Sequence, residues 1–281
     1  MVTTTTVSVH RMVAELQSLP TRPTVALRVV MAANDPNSSA ETLGRLIEID
    51  PSLSAQVMRL ANSAYYGLTH RVASANRAAA VIGIGTARAL AASTATGLVG
   101  ADRAPTPMGF WEHSVAAAVA ASVVAPKVGA NASEAFTLGL LHDVGRALLY
   151  RCEPSAYGAL VTRVINGDVD LIEAERATFG IDHAEVAASV LAEWKFPEPF
   201  VDAIARHHAG GTGELTPLRR ALAAGEELAF CVGPPEDHAV ESRDWPAGHG
   251  LALAGLTPDD AQRLGTAVQN GTAELLASLS S

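Results

Sequence analysis

Gly139-Leu140-Leu141-His142-Asp143-Val144-Gly145-Arg146 sets a histidine and an acid side by side in an otherwise apolar run. Phe136, Leu140, Val144 and Leu148 recur every four residues around them, the buried stripe of a helix. The spacing predicts one helix over about 132–150, with His142 and Asp143 at its middle. An adjacent pair there cannot easily reach solvent, and burying a carboxylate without a partner is costly. Two arrangements would satisfy it. A metal ion would pair with the charge and take a neutral imidazole. Alternatively, Asp143 and Arg146 form an ion pair three residues apart, with His142 hydrogen-bonded nearby.

Helical spacing continues on both sides. Towards the C-terminus it predicts helices at about 155–166, 170–178, 182–194, 198–208 and 215–231, and before the dyad at about 110–128. From the N-terminus to about residue 100 it predicts five or six shorter ones. Asp50-Pro51 starts the clearest, with Asp50 capping free N–H groups and Pro51 in the first helical position. It should end near Asn62-Ser63, before Gly67, and Gly83 and Gly85 should break a later pair. Residues 233–256, rich in Gly and Pro, read as a loop. A last helix begins at Thr257-Pro258 and is weakened by Gly265 and Gly271. No alternating strand pattern interrupts these segments, so the expected fold class is all-α.

The stretch 101–109, with two prolines and a glycine, is the expected internal boundary. The chain then divides into a tail (1–11), an N-terminal helical subdomain (12–105), a second helical subdomain packed on it (106–233), and a loop with a C-terminal helix (234–281).

Of 281 residues, 48% are hydrophobic but only 5% aromatic, so the core must rest on Ala, Leu and Val. Twenty basic against twenty-nine acidic residues leave a net charge of −9, which argues against sequence-independent nucleic-acid binding. Cys152 and Cys231 form no disulfide framework, which suits a reducing cytosol. Neither a signal peptide nor a membrane span is read: the longest apolar run, 115–125, is too short to cross a bilayer. The expected location is cytoplasmic.

Other histidines each have an ordinary reading. His113 fits a satisfied core position. His183 follows Asp182, which with Glu185 has the spacing of a capping box, and would be an exposed first-turn residue or a neutral imidazole fit for a metal. His207-His208 closes a helix before Gly210-Gly211, where cationic side chains complement the dipole. Glu226 and Glu227 follow Gly225 in an apolar helix, as a solvated pair or with one of them turned inward. The order His, His-Asp, His, His-His, acid over consecutive helices is more telling than any member.

That order resembles the HD superfamily, helical proteins whose metal-dependent members hydrolyse phosphate esters. Phe110-Trp111-Glu112-His113 is similar to the first ligand motif, and Leu141-His142-Asp143-Val144-Gly145 to the signature dyad. Asp182-His183-Ala184-Glu185-Val186 and His207-His208 resemble the additional histidines of the HD-GYP cyclic di-GMP phosphodiesterases. Glu226 stands where those enzymes place a late Asp, and Arg146 where they place a Lys. The Asp-Gly-x-Gly-Tyr-Pro stretch is missing after His207-His208, which speaks against cyclic di-GMP hydrolysis. Leu19-Pro20-Thr21-Arg22-Pro23, Ile49-Asp50-Pro51-Ser52-Leu53, Arg59 to Gly67, Ile82 to Arg88 and Trp194-Lys195-Phe196-Pro197 resemble the HDOD family (HD-related output domain). This resemblance covers about residues 12–233.

It implies a bacterial signalling module acting through a signalling-protein partner or a small phosphorylated ligand, with neither nucleic acid nor membrane as partner. It also implies a metal site of His113, His142, Asp143, His183, His207, His208 and Glu226. One or two divalent ions (Fe, Mn or Zn) would fit such mixed nitrogen and oxygen donors. The alternative is a metal-dependent phosphohydrolase or phosphodiesterase, with Asp143 on the ions and Arg146 holding a phosphate oxygen.

Overall fold

Ala116–Ala118 and Ala120–Ala121 put five small side chains on one helix, which lets neighbours approach it from every side. That helix is the hub of the fold. The structure, a computed structural model, describes residues 23–96, 106–107, 109–209, 215–232 and 247–280. Its helices are α1 (Pro23–Ala33), α2 (Ala40–Glu48), α3 (Pro51–Ala61), α4 (Ala75–Ala95), the hub α5 (Phe110–Val128), α6 (Ala132–Leu141) and α7 (Val144–Cys152). There follow α8 (Pro154–Ile165), α9 (Leu171–Phe179), α10 (His183–Glu193), α11 (Glu198–Ala205), α12 (Pro217–Val232), α13 (His249–Leu253) and α14 (Pro258–Ser280). No strand occurs among the described residues, and the fold is all-α.

Three glycines carry the close packing on the hub. A β-carbon at Gly139 of α6 would stand 2.6 Å from the Ala117 carbonyl oxygen, and one at Gly225 of α12 2.7 Å from the Ala121 nitrogen. Gly271 of α14 faces Val119 and Tyr65. The expected weak point of the last helix is therefore its docking point, and α14 runs unbroken.

Local signals act where expected in the first half. The Leu53 N–H donates to Asp50 Oδ1 at 3.0 Å, and Pro51 begins α3. Gly83 takes φ 82° and ψ 160°, a break inside α4 that lets its two halves follow different neighbours. α1, α2 and α3 pack around α4, whose later part also meets α6. Asn62 ties the end of α3 to the next loop, donating to Met58 and Val72 oxygens and accepting from the Val72 N–H at 2.7 Å. Tyr65 reaches the hub itself, its hydroxyl 3.0 Å from Ser122 Oγ.

Two differences from the sequence reading lie outside the site. Within the predicted loop 233–256, residues 249–253 form α13, because Glu227 of α12 accepts from the Gly248 and Leu251 N–H groups and fixes its start. α4 is long and apolar enough to cross a membrane by length and composition, but 67% of its apolar window is buried in the fold. The predicted tail, the Leu19–Arg22 motif, residues 101–105 of the predicted boundary and residues 233–246 of the loop lie outside the described residues.

Candidate metal centre

The helix predicted over 132–150 is broken. His142 ends α6 in helical conformation (φ −56°, ψ −39°), Asp143 steps out of it (φ −97°, ψ 8°), and α7 starts at Val144. On a continuous helix adjacent side chains point about 100° apart and cannot serve one centre. The break turns both inward. Its cause is tertiary: Gly139 holds α6 against α5, while Gly145 holds α7 against His183 at the start of α10. The predicted 198–208 helix likewise stops at Ala205, leaving His207 and His208 in the turn that follows.

Five segments contribute to a cluster centred on the Asp143 carboxylate. Its Oδ1 lies 3.5 Å from His142 Nε2, 3.3 Å from His183 Nε2 and 3.5 Å from His207 Nε2. Two further pairs extend the cluster, His113 Nε2 to His142 Nε2 at 3.2 Å and His183 Nε2 to His208 Nε2 at 2.9 Å. Glu226 Oε1 on α12 stands 3.8 Å from His142 Nε2. All seven predicted ligands are thus brought together, in three overlapping groups whose donor atoms lie within 4.8 Å of one another. His113, His142, Asp143, His183 and His207 are buried; His208 and Glu226 are half-buried.

Hydrogen bonds on the far sides of the rings decide what faces inward. His142 Nδ1–H donates to the Gly139 carbonyl at 2.7 Å and His207 Nδ1–H to the Ile204 carbonyl at 2.6 Å. His183 Nδ1–H donates to Glu175 Oε2 at 2.7 Å. Carbonyl and carboxylate oxygens only accept, so in each neutral ring Nε2 carries the lone pair. His207 Nε2 makes no hydrogen bond although buried. Lone pairs and a carboxylate oxygen aimed at one place repel unless a metal ion or a proton lies among them. Two ligand atoms about 2.1 Å from a tetrahedral ion stand about 3.4 Å apart, the separation found here between Asp143 and its histidines. The cluster could hold a metal ion, and its donor set suits one.

Electrostatics separates the histidines. Burial pushes His142 down to about 3, helped by His113 and His207 and opposed by Asp143. Burial also lowers His208 well below the usual range, with His207 and His183 adding to it. Burial alone would lower His183, but Glu175 and Asp143 hold it up at about 10. Burial would raise Asp143, yet His142, Arg146, His183 and His207 keep it well below the usual carboxylate range.

The ion-pair reading of the dyad is realised, and it leaves one carboxylate oxygen to the histidines. Arg146 Nη1 donates to Asp143 Oδ2 at 2.8 Å while Oδ1 faces the histidines. Arg146 is only 2% exposed, as deeply buried as the His142 and Asp143 that it adjoins. Glu226 and Glu227 both turn inward, one to the cluster and one to α13. Sequence reasoning missed Glu175, which sits midway between the buried Leu171 and Phe179 on α9. A charge on the apolar stripe of that helix was the available signal.

The HDOD domain model matches residues 19–210. A candidate phosphohydrolase from Shewanella amazonensis SB2B superposes with a TM-score of 0.72 at 24% identity, over 97% of this chain and 100% of that one. An HDOD domain protein of unknown function from Geobacter sulfurreducens gives 0.64 at 23% identity, over 96% of each chain. A candidate signal transduction protein from Marinobacter aquaeolei VT8 gives 0.69 at 22%, over 95% of this chain and 61% of that one. At such identities the likeness concerns the fold. An uncharacterized protein of Treponema pallidum (strain Nichols) is 23% identical over 195 residues, so this chain spans 38% of that relative's length. Matched over most of its length and sharing the helical architecture of these structures, the chain belongs to the HDOD domain family.

Proposed function

We propose that this chain is a cytoplasmic signal-transduction module that carries one or two divalent ions in the Asp143 cluster. The observation that carries this reading is the arrangement of His142, His183 and His207 around Asp143 Oδ1, each at 3.3–3.5 Å and each with Nδ1 occupied on its outer side. Ions there would tie α5, the α6–α7 junction, α10, the turn after α11 and α12 into one unit. The partner class this implies is a signalling protein, or a small phosphorylated ligand, that reads the resulting surface.

Metal analysis of protein purified without chelator tests the reading. Roughly stoichiometric Fe, Mn or Zn is expected; less than about a tenth of an equivalent of any transition metal overturns it, because structural sites bind tightly.

A second reading is hydrolysis of a phosphate ester. The sharing of Asp143 between the His113–His142 group and the His183–His207–His208 group favours it, since a shared carboxylate suits two adjacent ions. When bound, such ions would supply an activated water and neutralise charge on phosphoryl oxygens. The chain's own part would be to hold Asp143 ionised through Arg146 and to exclude bulk water by burial. Assay of a panel of nucleotides, cyclic dinucleotides and phosphate monoesters tests this; turnover abolished by His142→Ala in a folded protein supports it, and no turnover across the panel counts against it.

A further inference from the structure

His183 is held unlike His142 and His207. His142 and His207 give their outer N–H to neutral backbone carbonyls, whereas His183 gives both its Nδ1–H (2.7 Å) and its backbone N–H (2.8 Å) to Glu175 Oε2. The other oxygen, Oε1, accepts from the Tyr157 hydroxyl at 2.7 Å. Glu175 and Tyr157 are both 0% exposed, and Tyr157 is fixed by stacking on Phe179, with ring centroids 6.1 Å apart. A carboxyl group that takes three donors and offers none is acting as a carboxylate.

We infer that Glu175, itself oriented by Tyr157, is a positioning residue that makes His183 the strongest imidazole donor to an ion held with Asp143, His207 and His208. The inference rests on the metal-site reading above. Two N–H groups of one residue on one oxygen fix the plane of the ring. A negative charge on Nδ1–H also raises electron density at Nε2, the atom that lies 3.3 Å from Asp143 Oδ1 and 2.9 Å from His208 Nε2. Neutral carbonyls give His142 and His207 orientation with less of that charge. The competing role for Glu175 is purely structural, an acid at the positive end of α10.

Titration of the whole chain with Co(II), followed by visible absorption, separates these roles. The same samples give the proton resonance of the His183 Nδ1–H, which the paramagnetic ion shifts. Glu175→Gln keeps the shape of the side chain and removes its charge; it is expected to weaken Co(II) binding by about 10- to 100-fold and to displace or broaden that resonance. Tyr157→Phe keeps the carboxylate and frees its orientation, so a smaller loss of affinity in the same direction is expected. It stands in should Glu175→Gln fail to fold. A lower melting temperature with unchanged Co(II) affinity and resonance makes Glu175 a helix cap only and overturns the inference, leaving the metal site intact. If the unaltered chain takes up no Co(II), the metal-site reading fails first, and this inference with it.

Discussion

The backbone of Gly145 lies against the carbonyl of His183, so close that a β-carbon at residue 145 would collide with that oxygen. Two residues before Gly145 stands Asp143, and His183 is one of the imidazoles facing it at 3.3 Å. The register between the carboxylate and this histidine is therefore set by a main-chain contact, and the side chains inherit it.

Gly145→Ala should separate α7 from α10. Forcing an extra carbon into a filled space costs about 1–3 kcal/mol, and here the obstacle is backbone that cannot swing aside. Expected are a melting temperature lower by several degrees and weaker binding of added Zn(II), both read on one sample by thermal melts with and without the ion. An unchanged melt would show that the contact is looser than its geometry implies.

Asp143 has two duties, and they can be pulled apart. Asp143→Asn removes the charge that faces Arg146 Nη1 at 2.8 Å, leaving the guanidinium 2% exposed without that carboxylate. Breaking a buried pair in this way costs about 3–5 kcal/mol. Combining Asp143→Asn with Arg146→Met should recover much of that stability, since neither charge then remains buried. Metal binding should stay lost in both variants, because both lack the Oδ1 charge. Denaturant melts and metal analysis check the two halves; a double variant that bound metal normally would remove Asp143 from the ligand set.

Much of this architecture was readable because its signals are local. Asp50-Pro51, the Asp182–Glu185 capping box and Thr257-Pro258 each start a helix where the side-chain chemistry requires it. The break at Gly83 was equally plain. The break at Asp143 was not, because the apolar period runs straight through it and the helix is divided by contacts of Gly139 and Gly145 with distant segments. For the same reason the sequence could order His113, His142, His183, His207 and His208 along the chain but not show that His183 leans on Glu175. That partner lies eight residues earlier, across the turn between α9 and α10. Gly271 misled in the opposite sense: helix propensity marks it as a weakness, whereas packing on Val119 and Tyr65 makes it a docking point.

The three glycines on the hub should not be equally sensitive. At Gly139 an added carbon meets the Ala117 carbonyl at 2.6 Å, and at Gly225 the Ala121 nitrogen at 2.7 Å, both backbone. At Gly271 it meets side-chain atoms of Val119 and Tyr65 at 3.0–3.4 Å, which can give by a few tenths of an ångström. Gly139→Ala and Gly225→Ala should each cost about 1–3 kcal/mol, whereas Gly271→Ala should be near neutral, because helix propensity gains up to about 1 kcal/mol against a mild clash. Equal losses in urea titrations would show that the packing relaxes as a whole.

At the end of the α10–α11 pair opposite the cluster, the connecting turn is clamped by residues from two other parts of the chain. His183 begins this pair and His207 and His208 follow it, while the turn between, Trp194 to Pro197, is gripped by α4 and by Asn34 just past α1. Arg88 of α4 lies over the rings of Phe196 and Phe200, 4.8 and 5.2 Å from their centroids, and donates to Asn34 Oδ1 at 2.9 Å. Asn34 in turn donates to the Trp194 carbonyl at 2.8 Å. Arg88→Met would keep the apolar bulk but leave the Asn34 oxygen without this donor, at about 1–3 kcal/mol. Arg88→Lys should be at least as harmful despite keeping the charge, since an ammonium cannot stack flat on two rings and is harder to desolvate. Hydrogen exchange at Phe196 to Phe200 should quicken in both variants. Because the same pair of helices positions three of the candidate ligands, Zn(II) affinity should fall with the loss of the clamp; an affinity unaffected by Arg88→Lys would mean that the two ends of the pair move independently.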